Sequence, residues 1–222
     1  MKNEILKYIK VTLGVILCAL GIVMILNADL GLSPWDVLNQ GIHLQTGITL
    51  GQANIIVGIA VVFIGIYFKQ PIGSGTVINV ALVGTFVDIF MFLDFLPWGD
   101  TVLKQALLFG VGEIVFALGS YMYISGGCGC GPRDGLMVVF TKKTGLPMGT
   151  VRLCLEVSAL TAGYFLGGKV GVGTALFSLG TGYVIQFFFK MFKQDVKKIE
   201  HRSLIKEFNL LKVYIQNRNS ER

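Results

Sequence analysis

The sequence predicts an all-α integral membrane protein: six transmembrane helices arranged as two inverted three-helix repeats, each with an extra short interfacial or re-entrant helix. Three observations predict it. First, the 222 residues are 53% apolar and only 14% charged, with a mean hydropathy of +0.69, the composition of a bilayer protein rather than a soluble domain. Second, six apolar runs are long enough, or nearly so, to cross a bilayer. Third, the chain is written twice. Residues 14–90 shifted by 98 positions fall on residues 112–188 without a gap, with about 19 identities in roughly 77 positions where this composition gives about 6 by chance.

The first repeat occupies residues 1–95. Its spans are about Tyr8–Asn27, Gly51–Phe68 and Gly75–Leu93. The first span follows Lys2, Lys7 and Lys10, exceeds a signal-peptide core in length and is followed by no A-x-A-like site, so it is read as uncleaved. The second repeat occupies 96–190, with spans of about Val102–Ile124, Gly149–Leu166 and Val172–Phe189. Lysines and arginines set the orientation. With the N-terminus inside, the inner segments hold Lys2, Lys7, Lys10, Lys69, Arg133, Lys142, Lys143 and the tail, and the outer ones only Lys104 and Lys169. Six spans with both termini inside satisfy this rule. Three is an odd number, so two three-span halves must be inverted about an axis in the membrane plane.

Between the first two spans of each half lies the same motif. Gly31, Pro34, Asp36 and Leu38 fall on Gly129, Pro132, Asp134 and Leu136. Ser33 or Gly131 suits a helix N-cap, proline the first helical position, and the aspartate the third, where a carboxylate complements the helix dipole. Short helices are expected over 34–45 and 132–143, too short and polar to span, ended by Gly47 and Gly145. Entering from opposite faces, they would aim their N-termini and Arg133 at an anionic group. Capping alone also accounts for the aspartates. Asp134, a lipid phosphate or a ligand would each balance Arg133.

Ionisable residues inside spans are few: Asp88, Glu113, Arg152 and Glu156. Such groups usually turn inward. The i,i+4 spacing lets Arg152 and Glu156 pair, and a buried Glu113 or Glu156 suits proton coupling. Cys18 and Cys154 read as packing residues. Cys128 and Cys130 form a C-x-C, but two ligands do not make a metal site, so neither metal nor cofactor is expected. Residues 191–222 read as a basic tail, with Leu204, Phe208, Leu211 and Ile215 at helical spacing. That pattern suits an amphipathic helix on the inner leaflet, or a solvated tail or oligomer contact. Nothing points to nucleic acid. H-E-x-x-H, nucleophile and P-loop motifs are absent from the sequence, so no enzyme is expected.

The string Gly131-Pro132-Arg133-Asp134-Gly135-Leu136-Met137, with Ser33-Pro34-Trp35-Asp36 in the first repeat, resembles the YczE/YyaS group of bacterial integral membrane proteins. That group is related more distantly to the YitT membrane domain. The resemblance implies an inner-membrane protein linked to export or to support of secondary-metabolite production. The leading expectation is a small secondary transporter or exporter of an organic anion or zwitterion, sited between the repeats and enclosed as a homodimer in the lipid bilayer. Asp36, Arg133, Asp134 and Arg152 would contact substrate, and Glu113 and Glu156 would couple an ion. The alternative is an accessory membrane protein docking a cytoplasmic partner through its tail.

Overall fold

The computed structural model describes residues 2–129 and 131–194, together with residues 199, 203, 204 and 208. Regular structure among them is helical: α1 (Lys2–Ala28), α2 (Pro34–Thr46), α3 (Leu50–Tyr67), α4 (Ser74–Leu93), α5 (Val102–Ser125), α6 (Pro132–Thr144), α7 (Met148–Phe165) and α8 (Val172–Met191). From α2 to α4, each helix begins and ends 98 residues before its counterpart in α6 to α8. For the short helices, shared end residues account for this. Proline opens α2 and α6, and Gly47 (φ 74°) and Gly145 (φ 70°) close them, in the left-handed conformation that glycine adopts without a Cβ clash. Each short helix runs one residue past its expected end, through Thr46 and Thr144. The tail helix expected over 191–222 lies, but for a few residues, outside the described residues.

The centre of the molecule is the contact of α1 with α5, made by glycine. A Cβ on Gly14 would lie 2.7 Å from backbone atoms of Gly119 and Tyr123, and one on Gly21 2.7 Å from those of Gly112 and Phe116. Numbers rise along α1 as they fall along α5, so the pair is antiparallel. Missing side chains let the backbones close up, which maximises dispersion contact, the main attraction available between helices in lipid. Gly14 and Gly21 are themselves the repeat counterparts of Gly112 and Gly119. Midway between the two contacts, the Cys18 thiol lies 3.7 Å from the carbonyl oxygen of Phe116, its own counterpart.

Other contacts are exchanged in the same reciprocal way. The Gly75 N–H donates to the Cys128 carbonyl (2.7 Å), and the Gly173 N–H to the Leu30 carbonyl (2.8 Å). α4 packs on α1 and α8 on α5, while the short helices cross over, α2 resting on α7 and α6 on α3. The halves therefore interlock and are not separable domains. Buried aliphatics of α1 and α4, among them Val11, Val15, Val83 and Val87, fill the resulting core.

The exterior is apolar. Phe63, Phe92, Phe165, Leu179 and Tyr183 are all exposed, an arrangement that only a lipid surround makes favourable. Five helices among the described residues are long and apolar enough to cross a membrane, Glu4–Ala28, Leu50–Tyr67, Ser74–Leu93, Val102–Ser125 and Val172–Met191. The sixth expected span, α7, matches α3 in length at 18 residues, but Arg152 and Glu156 lower its hydropathy below that of the others. Gly119→Leu should force α1 and α5 apart at a cost of about 1–3 kcal/mol or more. Gly110→Leu, at a position with open space around it, should leave the melting temperature of purified protein within a degree or two.

Candidate functional site

The first turns of α2 and α6 face each other. At the start of α2 the Ser33 hydroxyl lies 3.2 Å from the Asp36 N–H, which donates to it, and itself donates to Asp36 Oδ2 (2.5 Å). The Asn39 amide donates to Asp36 Oδ1 (3.2 Å). Ser33 thus caps the helix as its sequence predicts, but the Asp36 carboxylate is held by side chains rather than by backbone N–H groups. Asp36, Asn39 and Asn54 line a small cavity of about 20 Å³ with Leu50 and Val87. One water fills such a space, and the Asn39 carbonyl oxygen, buried without a protein partner, supplies an acceptor for it.

At the start of α6 the surroundings differ. Gly131 has nearly the backbone of Ser33 (φ −54°, ψ 152° against φ −60°, ψ 152°) but no capping side chain. Asp134 is exposed where Asp36 is buried. The Arg133 guanidinium lies 4.8 Å from the centre of the Trp35 ring, within cation–π range. Trp35 and Arg133 stand 98 positions apart, at matching places in the two halves of the sequence. Asp36, Asp134 and Glu156 lie within electrostatic reach of the guanidinium, yet among the described residues Arg133 makes no ion pair within 4.0 Å. Arg152 Nε pairs with Glu156 at 2.8 Å, with Arg152 half exposed and Glu156 largely covered.

Five of the six expected site residues are therefore gathered in one region: Asp36, Arg133, Asp134, Arg152 and Glu156. Glu113 is not with them. It faces α8, its Oε1 3.1 Å from the Thr181 hydroxyl, which also lies 2.7 Å from the Phe177 carbonyl oxygen. A hydroxyl has one hydrogen. Thr181 is the donor in both contacts, sharing that hydrogen between Glu113 Oε1 and the Phe177 carbonyl oxygen. The structure adds Trp35, Asn39 and Asn54, which motif and charge alone do not single out. Trp35 has a signal in the sequence, its place 98 residues before Arg133. Asp88, expected as an intramembrane charge, instead anchors the start of α3, accepting from the Gly51 N–H (2.7 Å) and the Thr49 hydroxyl (2.5 Å).

The fold and its girdle of exposed apolar side chains define a multi-pass membrane protein. The chain belongs to the YczE/YyaS-like family: a profile described as a family of unknown function (DUF6198) matches residues 5–190. It is 34% identical over 190 residues to the uncharacterized membrane protein YczE of Bacillus subtilis, covering 84% of this chain and 87% of that one. An uncharacterized protein of Haemophilus influenzae is 35% identical over 183 residues, 80% of this chain and 83% of its own. The B. subtilis protein YyaS is 24% identical over 174 residues, 77% and 86% of the two chains. No solved structure matches.

Ser33→Ala removes the α2 cap and the hydroxyl donor to Asp36 together. It should cost about 1–2 kcal/mol, read as a lower melting temperature. Gly131→Ser, which supplies the missing cap at a backbone already suited to it, should be neutral or slightly stabilising.

Proposed function

We propose that this protein is a small secondary transporter, or exporter, of a zwitterionic organic solute in the bacterial inner membrane. The observation that carries the reading is the meeting of Arg133 with Trp35 where the α2 and α6 N-termini converge. A cation at a helix N-terminus opposes the dipole and wants an anion beside it. Backbone N–H groups at those N-termini suit a carboxylate ligand as well. Arg133 and Arg152 contribute two positive charges, and Asp36, Asp134 and Glu156 contribute three negative ones, so the ionised cluster sums to −1. A purely anionic solute meets net repulsion there. A zwitterion matches both signs, its carboxylate towards Arg133 and its ammonium towards Asp134 and Glu156. Glu113, a carboxylate inside a span that accepts from the Thr181 hydroxyl, is the group assigned to carry the coupling proton.

The topology that serves this function has six spans and inverted halves. α7 is the sixth: at 18 residues it reaches about 27 Å, close to the hydrocarbon thickness, and its two charges neutralise each other at 2.8 Å. The antiparallel α1 and α5, counterparts in the repeat, support inversion. The lysines and arginines named above support cytoplasmic termini.

Mass spectrometry of small polar solutes in the culture medium tests the reading. Cells producing the protein should enrich at least one zwitterionic solute outside, and Arg133→Ala should abolish the enrichment. Arg133→Lys keeps the charge but loses the planar stacking group, and should lower export about tenfold, the equivalent of one stacking contact of about 1.4 kcal/mol. A medium unchanged between wild type and Arg133→Ala would remove the transport reading.

A further inference from the structure

The two halves differ in structure at a place where their sequences agree. In the first half α3 lies along α4, and Gly51 and Gly84 meet so closely that a Cβ on either would strike the other's carbonyl oxygen. Asp88 fastens this contact through the Gly51 N–H and the Thr49 hydroxyl. Their counterparts, Gly149 and Gly182, have nothing within 4 Å of their Cβ positions. Among the described residues α7 and α8 scarcely touch. Glycine is a poor helix former, so a glycine pair that packs against nothing is a cost without a contact in this state. The polar pockets differ in the same sense: Asp36 and Asn54 are buried, whereas their counterparts Asp134 and Arg152 are exposed.

We propose that the chain exchanges between the state described and a second one in which the halves trade conformations. α7 docks on α8 through Gly149 and Gly182, and α3 swings away from α4. Arg152 then occupies the place of Asn54, beside Asp134, and Glu156 takes the place of Gly58, facing Ser178 as Gly58 now faces Val80. The second pocket closes while the first, with Asp36, Asn39 and Asn54, opens towards the opposite face. Because one glycine-to-glycine helix interface replaces another of the same kind, the two states are close in energy, as a bistable element requires. They are not equal: Asp88 is matched by Gln186, a neutral and weaker anchor for a helix start, so the described state predominates. This exchange deepens the transport reading, on which its purpose though not its geometry rests. It would supply alternating access to the Arg133 site.

Pulsed electron paramagnetic resonance on the purified full chain in lipid nanodiscs tests it, with the native cysteines replaced. One nitroxide pair sits at the exposed positions Ile59 and Ala81, the other at their exposed counterparts Val157 and Leu179. The first pair should give mainly a short distance. The second should give mainly a long distance with a minor short population matching the first. Asp88→Ala should enlarge that minor population several-fold. Gly182→Leu, which fits the open space of the described state but blocks docking, should erase it. A single long distance between positions 157 and 179, unchanged by Asp88→Ala, would overturn the exchange. Export by a protein that never shows the short population likewise overturns it and leaves the transport reading standing. A short population that responds to both substitutions, without any export, upholds the exchange and removes the transport reading.

Discussion

Close contact between α1 and α5 is the constraint on which the rest depends. Four glycines let two backbones meet within 2.6–3.1 Å of where side chains would begin. Because Gly14 and Gly21 are the counterparts of Gly112 and Gly119, one antiparallel crossing places both halves at once. Several of the contacts outside it then come in pairs: α4 on α1 and α8 on α5, with α2 and α6 crossing to the opposite half. Crossing over brings the two short-helix N-termini together, and with them Trp35 and Arg133. A packing detail of two apolar helices thus decides where the charges sit. In a bilayer no hydrophobic force drives helices together, so such close packing must supply the attraction.

The charges near the centre are tolerated because they are balanced in different ways. Asp36 is enclosed by the Ser33 hydroxyl and the Asn39 amide. Glu156 is paired with Arg152 on the next turn. Asp88 is bound to the start of α3. Arg133 differs from all three, facing an aromatic ring with its carboxylates at a distance rather than in contact. Intramembrane ionisable groups are costly and usually mark function. The group with the least settled partner is where a ligand has most to offer.

Much of the fold was legible because repetition and apolarity are written directly in the residues. Pro34 with Gly47, and Pro132 with Gly145, fixed both short helices to within a residue. Ser33 declared itself as a cap. The Arg152–Glu156 pair followed from i,i+4 spacing. Less legible was anything that depends on which half packs on which. Glu113 reads as a neighbour of Glu156 in kind, yet the structure turns it towards Thr181 on α8, because partner choice between long helices is set by three-dimensional crossing and not by local pattern. Asp88 looked like an isolated charge, since the helix start it anchors lies 37 residues away in sequence. The glycines do not reveal the difference between the halves, because Gly149 and Gly182 read the same as Gly51 and Gly84, and the exchange of Asp88 for Gln186 shows its weight only once the α3 anchor is seen.

Inversion of the two halves is the claim on which site and mechanism both stand. Thr46 and Thr144, counterparts at the exposed ends of α2 and α6, test it most directly. Single cysteines placed there in a cysteine-free chain are labelled in cells with a membrane-impermeant thiol reagent. Inverted halves predict labelling at position 46 in intact cells and at position 144 only after permeabilisation. Labelling of both positions from the same face would contradict inversion, and with it a site shared between two oppositely oriented halves.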